Sequence, residues 1–249
     1  MDPKTSPLPY DFHMHTIFSD GDNKVSEMVD ACSRQEIKHM AITDHITSEG
    51  YFANVFRQNQ PVNNLDHYLH EIAVCSQKHR GVMEIYAGGE IATNFTPRSN
   101  SSGATQDLLS ERLEFFSILL MEGWYISNPY RSALNLRQFV NMYGFKDMII
   151  GIAHPEYGAY TADMLENLIE NDIAVELNES KFSINTQNAF LELYNRCNMD
   201  IRKDLKLVIG TDAHWSGIAG YHPKIDDFVT QHELEEHVVI PKRAALFEY

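Results

Sequence analysis

Cysteine is scarce in this chain. Cys32, Cys75 and Cys197 are odd in number, far apart and in no paired spacing, which argues against a disulfide scaffold or a cysteine-ligated zinc site and fits a reducing compartment. Long apolar runs are absent as well. None approaches the roughly 20 residues needed to span a bilayer, and the opening MDPKTSPLPY lacks the apolar core of a signal peptide. The chain therefore reads as cytoplasmic, with no membrane partner. Basic residues are few, 20 against 35 acidic ones, for a formal charge of −15. A field of that sign repels the phosphate backbone and argues against a long nucleic-acid partner. The surplus is either a solvated acidic surface or, in part, carboxylates gathered around cations. There is no GxSxG elbow and no Rossmann glycine fingerprint, so a serine nucleophile and a bound dinucleotide are both disfavoured. No repeat, low-complexity tract or linker divides the sequence, and one domain over residues 1–249 is expected.

What is present is alternation. Apolar residues make up 43 % of the chain, enough for a full core. Short apolar runs occur at 10–15, 39–45, 84–91, 114–122, 148–154, 173–178 and 205–214, each of a length and character that suits a strand buried on both faces. Between them, segments 25–36, 65–79, 133–143, 161–171 and 186–197 have helical spacing. Ser26 is the candidate cap of the first and Thr161 that of the fourth. Strands alternating with helices predict an α/β fold with a parallel sheet, either open and doubly wound or closed into a barrel.

The chemical residues favour closure. His13 and His15 end the first run, His45 the second, Glu90 the third, His154 the fifth, and Asp212 with His214 the seventh. In a βα barrel the C-terminal strand ends converge on one mouth, whereas the first and last strands of an open sheet stand too far apart. Residues i and i+2 of a strand share a side, so His13 and His15 present two imidazoles together while Met14 packs away. Asp212 and His214 repeat the arrangement. A lone strand-end histidine is ordinarily hydrogen-bonded structure, but the full array suits Zn, Mn or Fe, and bridging carboxylates allow more than one ion. Two or three ions about 3.5–4 Å apart can clamp a phosphoryl group and lower the pKa of a bound water.

DFHMHTIFSDG (11–21), AITDH (41–45), GGEI (88–91), IAHPE (152–156), VELN (175–178) and GTDAH (210–214) resemble, in order, the motifs of the polymerase and histidinol phosphatase (PHP) family. That resemblance implies a distorted seven-stranded (β/α)7 TIM-like barrel that hydrolyses phosphoesters with two or three divalent metals. It implies that His13, His15, Glu90 and Asp212 hold one ion, that Glu90 bridges to a second bound by His154, and that Asp20, His45 and His214 hold a third. A metal-bound hydroxide would attack phosphorus, with Glu90, Asp212 and His214 at the catalytic centre and Asp44 orienting a ligand or water. The expected substrate is a small phosphorylated metabolite, histidinol-phosphate-like or a nucleotide. The chain departs from the family in one place. No histidine lies between His79 and His154, and the fourth run ends Leu120-Met121-Glu122-Gly123, which sets Glu122 near the position where the family commonly supplies a histidine. The second ion is then weakly bound, carboxylate-ligated or absent.

Arg57, Arg98 and Arg131 fall in loops on the presumed active face, and Arg131 is the first choice for a phosphate contact. The stretch from Thr96 to Gly103 reads as a flap or linker. His39, His67, His70, His79, His222, His232 and His237 read as surface or packing residues, with His222 the least settled. Two other functions compete. An amidohydrolase-type enzyme would usually end a mid-chain strand in lysine, and none of the seven runs does. A non-catalytic metal-stabilised domain is opposed by the intact HxH, TDH and DAH motifs. Substrate, metal identity and oligomeric state are not legible.

Overall fold

Each of the seven apolar runs contains a strand. The computed structural model describes residues 8–46, 65–96, 103–123 and 126–242. In chain order the elements are β1 (Tyr10–Asp11), α1 (Val25–Arg34), β2 (His39–Ile42), β3 (His45–Ile46), α2 (Leu65–Lys78), β4 (Glu84–Ile91), α3 (Gly103–Arg112), β5 (Ile118–Met121), α4 (Pro129–Met142), β6 (Ile149–Ile152), α5 (Ala162–Glu170), β7 (Ile173–Asn178), α6 (Ile184–Arg196), α7 (Met199–Arg202), β8 (Leu207–Gly210) and α8 (Pro223–Gln231). The strands pair in the order β1-β2-β4-β5-β6-β7-β8, every neighbour parallel. The short β3 extends the second stave beyond Thr43 and Asp44 and pairs His45 with Glu90.

Main-chain bonds just past the ends of β1 and β8 bring the first and last staves together. Phe12 N–H donates to Ile209 O (2.7 Å), Asp212 N–H to His13 O (2.8 Å), and His15 N–H to Ala213 O (2.9 Å). The fold is thus an α/β barrel of seven parallel staves, as expected from the convergence of the chemical residues. Its first stave is shorter than the predicted six residues. Regular pairing ends at Asp11, and His13-Met14-His15 runs on as an extended segment held to β8 by the Met14–Ala213 bridge.

The helices follow the predicted order, with corrections at their ends. Lys24 rather than Ser26 starts α1, because the Glu27 carboxylate reaches back to accept the Lys24 N–H (2.8 Å). Thr161 caps α5 by accepting from Met164 N–H (3.2 Å). The fourth helix begins ahead of residue 133, since Asn128 accepts from Arg131 N–H (2.9 Å) and Pro129 suits a first turn. Helices α3, α7 and α8 were not predicted. Among the described residues no helix is long and apolar enough to cross a membrane.

Strand alternation divides the core in two. Ile85, Leu119, Met121, Ile150, Ile152 and Ile209 pack outward with the helices, while Phe12, Ala41, Tyr86, Ile118, Leu120, Ala153, Ala174 and Val208 form a separate apolar cluster inside the barrel. That plug closes the lower lumen and leaves only its C-terminal end for chemistry.

Candidate metal centre

The same alternation carries the inward face from the plug to the mouth. Ile118, Leu120 and Glu122 are related by steps of two, as are Tyr86, Gly88 and Glu90, then Ala174, Glu176 and Asn178, and finally Val208, Gly210 and Asp212. Apolar residues occupy the lower positions of each series and polar ones the upper. Gly210 sits where a Cβ would overlap Glu176 Oε1 and the His13 Cβ, so glycine is required for β8 to pass this close. His154 breaks the alternation, since its neighbour Ala153 already faces inward. It does so with a positive φ of 27°, and Asp212 has a φ of 56°. Both are non-glycine residues held in a sparsely populated backbone region, which is costly and concentrates at functional sites.

These residues meet at one mouth. His13 Nε2 lies 3.0 Å from His15 Nε2, 3.2 Å from Glu90 Oε2 and 3.8 Å from Asp212 Oδ1. His15 Nε2 is 3.4 Å from both Glu90 Oε2 and Asp212 Oδ1. His45 Nδ1 stands 3.1 Å from Glu90 Oε2, and its Nε2 is 3.6 Å from Asp20 Oδ2. Asp20 Oδ2 also approaches His214 Nε2 (3.1 Å). On the other flank His154 Nε2 lies 3.2 Å from Glu90 Oε1 and 3.4 Å from Glu122 Oε1. The donor atoms fall into overlapping groups within 4.8 Å: His15, Asp20, His45 and His214; His13, His15 and Asp212; His13, Glu90 and His154; His45, Glu90 and Glu122. The structure thus brings together all eight residues picked from the sequence as ligands, with Glu122, expected near the missing fourth-strand histidine, beside them.

Behind them stands a set of supporting bonds. Glu176 Oε1 pairs with His13 Nδ1 (2.8 Å) and accepts from Asn178 Nδ2 (3.1 Å), while its Oε2 accepts the His154 N–H (2.5 Å). One buried carboxylate therefore orients two imidazole-bearing residues and leaves His13 Nε2 facing the centre. Ser180 Oγ donates to Asp212 Oδ2 (2.9 Å). Asp44, expected to orient a ligand or water, bonds the loop between His15 and Asp20. It accepts from Thr16 N–H and Thr16 Oγ1 (2.7 Å each) and from Ser19 Oγ (2.5 Å), so it fastens the loop that delivers Asp20. Glu176 and Ser180 carried no role in the sequence reading. The step of two from Ala174 was the available signal for Glu176.

The electrostatics are those of a cation site. Burial pushes His15 down to about 4, reinforced by the neighbouring His45. Burial also opposes charge on His45 and His154, yet the Glu90 carboxylate, with Asp20 beside His45 and Glu122 beside His154, raises both to about 9. Burial works against the ionised forms of Glu90, Asp20 and Asp212 as well, but the surrounding imidazoles hold all three far below the usual carboxylate range. Glu90 Oε1 and His45 Nδ1 are buried and make no hydrogen bond, although nitrogen and oxygen partners stand within 3.2 Å at unfavourable angles. Buried imidazoles and carboxylates converging on common points are what a divalent ion satisfies by displacing the imidazole protons, and the mixed donors suit Zn, Mn or Fe.

Beside His154 opens a cavity of about 890 Å³, lined by Gly123, Ile126, Pro129, Tyr157, Tyr160 and Lys181 among others. Arg131 is exposed on the first turn of α4 and does not line it. Arg57 and Arg98 lie outside the described residues, as does most of the stretch from Thr96 to Gly103. His222 is remote from the centre, buried between Asp226 Oδ1 (2.9 Å) and Tyr10 O (2.7 Å). His39, His67, His79 and His237 are likewise engaged elsewhere, with Tyr86, Glu71, Asp30 and Leu205 O.

A barrel of parallel staves with a buried imidazole–carboxylate centre at its C-terminal mouth defines the class. Residues 11–177 match the PHP domain family, and the chain belongs to it. It is 28 % identical over 209 residues to an uncharacterized protein of Methanocaldococcus jannaschii, covering 83 % of this chain and 82 % of that one. The fold is similar to that of histidinol phosphate phosphatase from Lactococcus lactis, solved with zinc, L-histidinol and phosphate (TM-score 0.63, 17 % identity, 94 % of this chain and 97 % of the other). It is also similar to a candidate histidinol phosphatase from Listeria monocytogenes (TM-score 0.56, 13 % identity, 85 % and 97 %).

Proposed function

We propose that the protein is a metal-dependent phosphoesterase acting on a small phosphorylated metabolite, of the histidinol phosphate or nucleotide kind. The observation that carries the reading is the meeting of five imidazoles and four carboxylates, with buried atoms lacking hydrogen bonds, beside a cavity of about 890 Å³. His13, His15, Glu90 and Asp212 would hold one ion, Glu90 and His154 a second, and Asp20, His45 and His214 a third. Two or three divalent cations there, zinc, manganese or iron, supply Lewis acidity toward a phosphoryl oxygen and an activated water. The protein's own part is positional. Glu90, at the centre of the array, ties the groups together, and Glu176 fixes the ring of His13. The plug of Phe12, Leu120 and Val208 closes the lumen from below, so substrate enters from the mouth. The non-phosphate part of the substrate fits the cavity against Tyr157 and Tyr160, where Lys181 is the lining cation.

The test is phosphate release. Apo protein loaded with Mn²⁺ or Zn²⁺ is assayed on a panel of phosphomonoesters and small phosphodiesters, with amides and lactones alongside. Metal-dependent release of phosphate supports the reading. Turnover confined to amides or lactones, or no turnover on any substrate, sinks it.

A further inference from the structure

Accepting that the mouth binds metals, we propose that Glu122 is itself a metal ligand and makes the His154 flank an oxygen-rich position, the one least selective for Zn²⁺ over Mn²⁺. The sheet builds this placement in. Glu122 follows Ile118 and Leu120 on the inward face, and its N–H still bonds Ile91 O (3.1 Å), so the alignment with β4 persists beyond the strand end. The next residue is glycine, where a Cβ would overlap Ala153 O, so β5 and β6 approach closely at this height. The Glu122 side chain is 1 % exposed. A carboxylate taken so far out of water needs compensating positive charge or hydrogen bonds.

Its surroundings point to an ion. Glu122 Oε1 lies 3.4 Å from His154 Nε2, and the donor atoms of His45, Glu90 and Glu122 lie within 4.8 Å of one another. Glu90 Oε1, 3.2 Å from His154 Nε2, and His45 Nδ1, 3.1 Å from Glu90 Oε2, are buried and without a hydrogen bond. Cations held among these residues satisfy them. The donor balance also differs across the mouth. His15, Asp20, His45 and His214 offer three imidazoles to one carboxylate, whereas His45, Glu90 and Glu122 offer two carboxylates to one imidazole. Imidazole suits Zn²⁺, and carboxylate suits Mn²⁺ and other hard cations. Zn²⁺ binds more tightly than Mn²⁺ in most sites, so the expected signature is a narrowed preference on this flank rather than a reversed one.

The full-length protein is stripped with chelator and titrated with Mn²⁺ alone. Bound equivalents are counted by elemental analysis, affinities come from calorimetry, and a Zn²⁺/Mn²⁺ competition follows. Glu122→Gln keeps shape and removes charge, and should weaken one Mn²⁺ position at least tenfold while the melting temperature of the apo protein holds. Glu122→His should restore the count and shift the competition at that position at least tenfold toward Zn²⁺. Unchanged stoichiometry and affinity in Glu122→Gln overturn this proposal and leave the phosphoesterase reading intact. Wild-type protein that takes up no divalent ion overturns both.

Discussion

The lower and upper halves of the barrel lumen are built from the same staves, two residues apart, yet they are opposite environments. Leu120 precedes Glu122, Ala174 precedes Glu176, and Val208 lies two steps before Asp212. Below, apolar side chains fill the interior and stabilise it by burial, at about 25 cal/mol per Å² of apolar surface removed from water. Above, most of the carboxylates and imidazoles are hidden as well, but burying charge costs stability unless each group is compensated. The mouth is compensated only in part, as Glu90 Oε1 and His45 Nδ1 attest. The difference teaches that the same staves add stability below and gather ligand-capable groups above.

The sharpest way to break the comparison is to remove a central ligand. Asp212→Ala takes away a carboxylate shared by His13 and His15. Metal-dependent phosphate release should fall about 10³-fold, since the ions are asked for several kcal/mol of transition-state stabilisation. The apo protein should also melt lower than wild type, because the carboxylate is held ionised by His13 and His15 and accepts from Ser180 Oγ, so its loss breaks buried pairs. Next comes the plug. Leu120→Ala should cost about 2–5 kcal/mol in chemical denaturation, while elemental analysis still counts the wild-type metal equivalents. A Leu120→Ala protein that is fully stable but metal-free would show that the two halves do not divide the labour this way. Smaller again is Glu176→Gln, which keeps the shape behind His13 and His154 but weakens their orientation. Its metal affinity by calorimetry should drop about 10- to 100-fold, with folding stability nearly unchanged.

How far these halves were legible in the sequence depends on what each needed. The seven apolar runs announced the staves because parallel strands buried on both faces read as continuous apolar stretches. His13-Met14-His15 and Asp212-Ala213-His214 announced the mouth because a step of two puts polar pairs on one side. Met14 packs outward with the helices as that step requires. Glu176 was hidden inside the run IAVELN, where its carboxylate breaks an otherwise apolar strand and is noticed only once Ala174 is known to face inward. Alternation alone would turn His154 outward; its place at a strand end marked it, and a positive φ brings it to the centre. The cap of α1 was misplaced because Glu27 reaching back to Lys24 closes that helix without a serine. Helix α3, GATQDLLSER, has too weak an apolar stripe for periodicity to register.

A second buried ionic cluster, outside the lumen, sharpens the comparison because its charges are fully bonded. His222 uses both ring nitrogens, on Asp226 Oδ1 and Tyr10 O, and Asp11 accepts from Thr211 N–H, Thr211 Oγ1 and Gly220 N–H. The charged groups facing His222 are Asp226 on its own helix, Asp11 at the end of β1, and Glu179 after β7. Burial works against charge on the ring, but the Asp226 carboxylate, with Asp11 behind it, raises the His222 pKa above its ordinary value. A raised pKa in the folded state means the stabilisation is fully present below the unfolded value of about 6.5 and fades as pH rises through the folded one. Asp226→Asn should therefore cost about 1–2 kcal/mol near pH 6, and the deficit relative to wild type should shrink in alkali. Urea melts at several pH values give the deficit, and elemental analysis should find the metal count untouched. If the variant instead loses metal, this cluster is coupled to the mouth and the contrast between satisfied and unsatisfied buried charge fails.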